Sequence, residues 1–325
     1  MIQNKLVILT GPTAVGKTKL SISLAKTIGG EIISADSMQV YRHMDIGTAK
    51  ITGKEMDGVP HHLIDVLEPE EEFDIVRFQT MAKQAMGEIY ERGHIPILVG
   101  GTGFYIQSVL YDIDFLAHEE ESGLRKELEK QAKTPGGAAA LYERLLAIDP
   151  ESAKKIHAHN LKRVIRAIEF YEENHAPISA HNEDQRKKQS PYAFCYFVLN
   201  DDRGKLYARI DGRVEQMMAQ GLLSEVRSLK ERGCTRDMIS MQGLGYKELL
   251  DHLDGAFSLD EAVYRIKRDT RHFAKRQVTW FKRERDVIWL ERGAFASEDA
   301  ILADMLEHMR EKGILEETKT EERSS

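Results

Sequence analysis

Two hydrophobic periods alternate along the first third of this chain. Residues 5–10 (KLVILT) form a short, almost continuous apolar run, the pattern of a strand buried on both faces. The run ends in Gly-Pro. From residue 17 the apolar positions Leu20, Ile22, Leu24, Ala25 and Ile28 take roughly helical spacing, with Gly29 as the stop. A second strand pattern follows at 31–36 (EIISAD), a helix at 73–93, a third strand at 95–103 (IPILVGGTG) and a helix at 104–111. Strands alternating with helices predict a parallel sheet covered on both faces.

The character changes near Phe115. Residues 121–132, 136–149 and 160–175 have helical periodicity, and no strand pattern occurs between about 115 and 190. One more strand is predicted at 192–200 (YAFCYFVLN). Helical pattern then runs through 205–233 and 259–285, and DVIWLE at 286–291 closes the series as a last short strand. The segment 316–325 (EETKTEERSS) is polar throughout, the composition of a disordered tail.

Composition changes this picture little. The chain has 325 residues, 42% hydrophobic and 30% charged, which suits one or two globular domains. No apolar run approaches the roughly 18 residues of a membrane-spanning helix, so no membrane partner is expected. Residues 1–12 enter a strand pattern directly and lack the features of a signal peptide, and Cys195 and Cys234 stand alone. Both points lead us to expect a reducing, cytoplasmic setting.

Charge is informative only once divided. The net charge of -7 argues against bulk affinity for nucleic acid. Yet residues 262–285 hold nine Lys or Arg against Asp269 and Glu284, whereas residues 286–325 hold eleven acids against five bases. A basic block in an acidic protein can make a phosphate-binding face or a solvated helix face. Trp280 and Phe281 within it could stack on a base, but their helical spacing points to core packing. His61-His62 and His157/His159 lack a cysteine or paired acid at ligand spacing, so zinc is not expected.

The chemistry begins at residues 11–18, GPTAVGKT. With glycine near 7% of residues, the pattern GxxxxGK[ST] arises by chance in a chain this long about once in a hundred. The strand before it and the helix after it are the context that a phosphate-binding loop requires. In the loop formed by Gly11, Pro12, Thr13, Ala14, Val15 and Gly16, the backbone N–H groups that are present would turn toward phosphate oxygens. Lys17 adds a point charge, and Thr18 an oxygen for Mg²⁺. The predicted architecture is therefore α/β. It has a P-loop NTPase-like parallel sheet flanked by helices in residues 1–114 and 191–310, an all-helical insertion domain at 115–190 and a disordered tail at 311–325.

The loop alone does not choose a reaction. An ATP-dependent small-molecule kinase and a non-catalytic RNA-binding NTPase both carry one. Such proteins usually show an apolar strand ending in a metal-binding Asp, but here the third strand ends in GGTG, with Thr102 where an acid would stand. Asp201, which ends the strand at 192–200, is a weak alternative. The acid at a strand end is Asp36. In open α/β sheets ligands bind at the carboxyl ends of the strands, so Asp36, Thr102 and the loop should meet in one crevice. Asp36 and Thr102 could each also be a helix cap.

The order of motifs is more selective. GPTAVGKT, ADSMQVYR, DIGTAK, HHLID, GGTGFY, NLKRVIRAIE, RIDGRVEQMMAQGLLSEV, GLGYKE and TRHFAKRQVTWFKR occur in one series. Together they resemble the bacterial tRNA dimethylallyltransferase (tRNA isopentenyltransferase) family over nearly the whole chain, to about Leu290. That family moves a dimethylallyl group from dimethylallyl diphosphate to N6 of the adenosine just 3′ of the tRNA anticodon. The resemblance implies that residues 11–18 hold the diphosphate, with Mg²⁺ on Thr18. It makes Asp36 the acceptor of the amine proton and places Thr102 beside the reacting centre. An arginine of the segment 209–213 should meet the diphosphate; Arg209 and Arg213 both fit, with Arg209 preferred. It implies tRNA contacts from Asp36, Ser37, Met38, Gln39, Thr102, Arg125, Asn160, Leu161, Lys162, Arg163 and Val164. A monomer gripping the anticodon stem-loop, with the adenosine flipped out, is the expected state.

Overall fold

A computed structural model describes residues 3–115 and 123–316. It divides into two compact units, Met1–Leu110 with Pro191–Ser325, and Tyr111–Ser190.

The first unit is built on a six-stranded parallel sheet. Its strands are β1 (Lys5–Thr10), β2 (Gly30–Ala35), β3 (His61–His62), β4 (Ile95–Gly100), β5 (Ala193–Asn200) and β6 (Val287–Glu291), in the order β3-β2-β4-β1-β5-β6. The central β1 pairs with β4 and β5, and Leu6 to Leu9 are fully buried, which explains their unbroken apolar run. β2 lies on one side of β1, β5 and β6 on the other. The carboxyl end of β1 is thus the switch point where such sheets open a crevice.

Four helices belong to the first stretch of this unit: α1 (Lys17–Ile28), the single turn α2 (Gly53–Met56), α3 (Ile75–Glu91) and α4 (Gly103–Leu110). α1 stops at Gly29, which is left-handed at φ 61° and returns its N–H to Ala25 O, as the sequence indicated. β3 was not foreseen; two residues carry no readable period. It is pinned by Glu31, whose carboxylate meets Arg92, His94 and His62 and is held down to about 2, chiefly by the Arg92 hydrogen bonds. This cluster sits beside the amino end of β2, so His62 serves packing there. Among the described residues no group of three His, Cys, Asp or Glu could hold a metal ion.

The second unit is all helical: α5 (Gly123–Ala132), α6 (Gly137–Ile148), α7 (Pro150–Lys155), α8 (Leu161–Asn174) and α9 (Ile178–Lys187). Leu128, Leu141, Leu145, Val164, Ile165 and Ile168 form its core. Each such side chain, fully buried, contributes about 1.5–3 kcal/mol. Asp149 ties two helix starts together. Its carboxylate accepts from Ser152 N at 3.0 Å, Ser179 N at 3.0 Å and Ser179 Oγ at 2.6 Å, hydrogen bonds that hold its pKa low despite burial.

Returning to the first unit, the chain continues with α10 (Arg203–Gln220), α11 (Leu222–Glu231), α12 (Tyr246–Leu253), α13 (Leu259–Phe281) and α14 (Glu298–Glu311). The sequence read 205–233 as one helical stretch. It breaks at Gly221, whose φ of 101° ends α10. α14 was also not anticipated. It buries Ile301, Met305 and Met309, and beyond it Ile314 is fully buried, so residues 312–316 are tied to the core. Residues 317–325 of the expected tail lie outside the described residues. No described helix is long and apolar enough to cross a membrane.

Candidate active site

The loop after β1 is held in an unusual conformation by three cations, one its own and two from elsewhere in the chain. Ala14 lies in the left-handed region at φ 62°, which costs of order 1 kcal/mol or more and persists only when the surroundings enforce it. Here they do. Arg209 Nε donates to Ala14 O at 3.0 Å, Arg292 Nη1 to Val15 O at 3.2 Å, and Lys17 Nζ to Gly11 O and Pro12 O at 2.9 and 3.0 Å. With four loop carbonyls engaged, the opposite sense of the peptide planes is left for N–H groups to meet an anion. The Thr18 side chain is exposed and its hydroxyl bonds no described residue.

Asp36 follows β2 directly. Its Oδ1 accepts from Met38 N at 2.9 Å. Burial raises its carboxyl above the usual carboxylate range, against the pull of the Met38 and Gln39 N–H groups and of Lys17. Burial acts on Lys17 in the opposite sense and lowers its ammonium to about 8, with Asp36 raising it and Arg213 lowering it further. Thr102 follows β4 and α4 starts behind it. Its N–H donates to Ala35 O at 3.2 Å and its carbonyl accepts from Tyr105 N and Ile106 N, which joins the ends of β2 and β4. The Thr102 hydroxyl has no bond to a described residue.

Asp36 and Thr102 share one cavity of about 440 Å³ with part of the loop, whereas Lys17 and Thr18 are not in its lining. Asp36, Thr102, Thr13, Ala14 and Arg213 line its polar part. Ile210, Val214 and Met217 of α10, Leu222 of α11, and Ile266 and Phe273 of α13 line an apolar wall. The two arginines of the segment 209–213 differ sharply. Arg209 is occupied, with Nη2 on Asp201 Oδ2 at 2.7 Å and Nε on the loop. Arg213 faces the cavity, forms no ion pair or hydrogen bond with a described residue, and has its pKa lowered by burial. Asp201, the alternative strand-end acid, is neutralised by Arg209.

A family model described as IPP transferase matches residues 39–284, well over half of the chain, and one described as Isopentenyl transferase matches residues 4–71. The chain belongs to the IPP transferase family. A tRNA dimethylallyltransferase of Lachnoclostridium phytofermentans is 60% identical over 95% of this chain and 99% of its own length. One of Acetivibrio thermocellus is 48% identical over 96% and 99%. Among solved structures, the full-length tRNA isopentenylpyrophosphate transferase of Bacillus halodurans is 44% identical over 97% of this chain and 99% of that one, at a TM-score of 0.72. A eukaryotic dimethylallyltransferase acting on tRNA reaches a TM-score of 0.83 at 30% identity, over 99% of this chain and 82% of that one.

In this member of the IPP transferase family the basic block of α13 divides in two. Arg265, Lys267, Arg268 and Arg271 pair with Glu261, Glu215, Asp269 and Asp211. Lys275, Arg276, Lys282 and Arg283 form no ion pair with a described residue. An open groove of about 420 Å³ runs along this second half, lined by His272, Lys275, Arg276, Thr279, Trp280 and Arg283. Arg276 lines the groove and the deep cavity alike. Phe281 is core, as its spacing indicated, while Trp280 lines the groove and meets Phe104 edge-on at 6.2 Å.

The helical unit holds the other residues expected at RNA. Asn160 caps α8 through Arg163 N, and Lys162 and Arg163 are exposed. Leu161 is half-buried. Val164 is fully buried in that unit's core, which corrects the expectation of a contact through its side chain. Arg125 pairs with the buried Glu169 at 3.2 Å.

Sequence reasoning quoted DIGTAK without giving it a role. Its N–H groups converge on Glu225 of α11, whose carboxylate accepts from Asp45 N, Ile46 N and Gly47 N at 2.9, 2.7 and 3.1 Å, and from Tyr246 Oη at 2.7 Å. Ser37, Met38, Gly47, Thr48 and Ala49 line the cavity, and Gln39 Nε2 reaches Thr48 O at 3.4 Å. Glu225→Gln places an amide where four donors converge, leaving at least one unsatisfied at a cost of about 1–3 kcal/mol. The expected result is a kcat/KM for tRNA about tenfold lower, with inorganic diphosphate affinity unchanged. Steady-state kinetics and calorimetry check it; equal loss in both would remove the loop from the acceptor side.

Proposed function

We propose that this chain transfers a dimethylallyl group from dimethylallyl diphosphate to N6 of the adenosine 3′ of the anticodon in tRNA and releases diphosphate. One observation carries the reading. A single cavity joins the strand-end acid Asp36 and the hydroxyl of Thr102 to the phosphate loop and to Arg213, which pairs with no described residue, and it has an apolar wall of Ile210, Val214, Met217, Leu222, Ile266 and Phe273. An isoprenoid diphosphate has the matching polarity. No acid ends β4 to hold a kinase's metal ion, since Gly100, Gly101 and Thr102 stand there.

The adenine N6 lone pair is delocalised into the ring and attacks poorly. It attacks the first carbon of the dimethylallyl group as the carbon–oxygen bond breaks, and that bond's electron pair leaves on the diphosphate. The N6 proton passes to Asp36, whose raised pKa suits a base near neutral pH. The Thr102 hydroxyl orients the amine. The Lys17 ammonium and the loop N–H groups of Ala14, Gly16, Lys17 and Thr18 meet the growing charge of the leaving group. Arg213 does so from the cavity wall. Arg209 supports the same step through Ala14.

Mg²⁺ fits this site only as a companion of the diphosphate. Among the described residues Thr18 offers one free hydroxyl and no group of three acids or other ligands could hold a metal ion, whereas Mg²⁺ keeps several waters and binds through few protein ligands plus phosphate oxygens. When bound there it neutralises charge on the leaving group.

The acceptor base must leave its stack, at a cost of roughly a few kcal/mol. The open half of α13, with Asp36, Ser37 and Met38 at the cavity and Gln39 next to them in the chain, supports a grip on the extruded nucleotide and its phosphates. Within the helical unit, Asn160, Leu161, Lys162 and Arg163 at the start of α8 and Arg125 of α5 are the proposed tRNA contacts. The proposed state is a monomer. The two free cysteines fit a cytoplasmic enzyme.

The pH dependence follows from the two buried charges. Asp36 must be ionised, so kcat rises with pH through its raised pKa. Diphosphate binds the protonated Lys17, so donor affinity falls by about tenfold per pH unit above about 8, until the pKa of the complex is reached. Lys17→Arg should abolish the alkaline loss in KM and leave the acid limb. A donor KM that stays flat across that range in the native enzyme would refute the assignment of Lys17.

The test of function is incubation with labelled dimethylallyl diphosphate, unmodified tRNA and AMP as a competing acceptor. Label should enter tRNA and not AMP. ATP-dependent phosphorylation of a metabolite, or ATP turnover without transfer, would favour a kinase or an NTPase instead.

A further inference from the structure

α13 does more than present cations. On its inner face Gln277 is 6% exposed and lines the cavity. Its side-chain amide spans two loops that are far apart in sequence. Oε1 accepts from Thr13 N, in the phosphate loop, at 2.9 Å. Nε2 donates to Gly101 O, just before Thr102, at 3.0 Å. A Cβ on Gly101 would stand 2.2 Å from that nitrogen, so the bridge exists only because residue 101 has no side chain. The neighbouring Arg276 lines this cavity too, and also the groove along the outer face.

We infer that Gln277 is a positioning residue for the transfer: it fixes the distance between the loop that holds the donor diphosphate and the hydroxyl that orients the acceptor amine. The inference rests on the proposed function. Both bonds of the amide are needed, because a group that holds only one loop cannot set a separation. Bimolecular transfer gains its rate from holding the two reactants in register, and a misplacement of about 1 Å costs on the order of 10²-fold. The charges that bind diphosphate, Lys17 and Arg213, do not depend on Gln277, so donor binding is separable from register.

Three variants test this: Q277M, which keeps length and volume but neither bond, G101A, which keeps Gln277 but displaces it, and the double variant. The assay is single-turnover transfer of labelled dimethylallyl to tRNA, with calorimetric binding of inorganic diphosphate alongside. Wild-type transfer establishes the reaction itself, so failure of the function and failure of this inference are distinct results. The expected result is a transfer rate about 10²-fold lower in each single variant. Diphosphate Kd should stay within about threefold of wild type, and the double variant should be no more than about threefold slower than the worse single one. If Q277M does not fold, G101A and its diphosphate Kd decide. Transfer at the wild-type rate in either folded variant, loss of diphosphate binding in step with rate, or multiplicative losses in the double variant would overturn the inference.

Discussion

Asp36→Ala slows dimethylallyl transfer by about 10²- to 10⁴-fold, the range for loss of a positioned general base, and leaves tRNA affinity near normal. Three observations set this expectation. Of the two strand-end acids Asp36 and Asp201, Asp36 lines the cavity, whereas Asp201 is paired with Arg209 at 2.7 Å. One of its oxygens is fixed by Met38 N, which aims the carboxylate into the cavity. Its raised pKa makes it a better base than an exposed carboxylate. Asp36→Asn keeps the shape and the turn but cannot take the proton, so it should fall as far as Asp36→Ala. In both variants the acid limb of the pH profile disappears. Single-turnover transfer and stem-loop binding measure the two quantities separately. Unchanged transfer removes Asp36 from the mechanism, and loss of tRNA binding in proportion to rate reduces it to a contact.

Arg213→Leu lowers kcat by about 10²- to 10³-fold, comparable to removing one preorganised donor from a developing anion. The guanidinium already stands in the cavity with no partner among the described residues, so it is free to follow charge onto the leaving group. Arg213→Lys should recover only part of this, because a point charge does not replace a planar fork on phosphate oxygens. Arg209→Leu should differ in kind. It frees Ala14 O and leaves Asp201 buried and unpaired, so it should lower stability and raise donor KM more than it lowers kcat. Kinetics on the three variants, with thermal unfolding, separate a residue that touches diphosphate from one that shapes the loop. Equal kcat losses at 209 and 213 would contradict the division.

What the sequence made legible was whatever is local. β1, β4 and β5 are unbroken apolar runs because their residues are buried on both faces, and the loop motif sits where strand gives way to helix. Asp36 and Thr102 could be placed in one crevice because a parallel sheet aligns its strand ends. The choice between Arg209 and Arg213 was not local. They stand four residues apart on one helix, so spacing treats them alike; only the position of Asp201 shows which is occupied. Glu225 was invisible for the same reason, since its N–H partners lie about 180 residues earlier. Gln277 is 264 residues from Thr13 and could be named only as part of a motif. The basic block was visible as composition, but which of its charges are spent on acids of α10 depended on how the helices pack. Val164 was carried along with its exposed neighbours, although the stripe Leu161, Val164, Ile165 and Ile168 already marked it as core.

The central claim is that the phosphate loop grips a diphosphate that departs from carbon. A donor labelled in both halves, with carbon label in the isoprenoid and phosphorus label in the diphosphate, tests it most directly with unmodified tRNA and no ATP. The account predicts carbon label on the adenosine 3′ of the anticodon and an equal amount of phosphorus label released as inorganic diphosphate. Phosphorus label on the RNA, or no transfer until ATP is added, would contradict it.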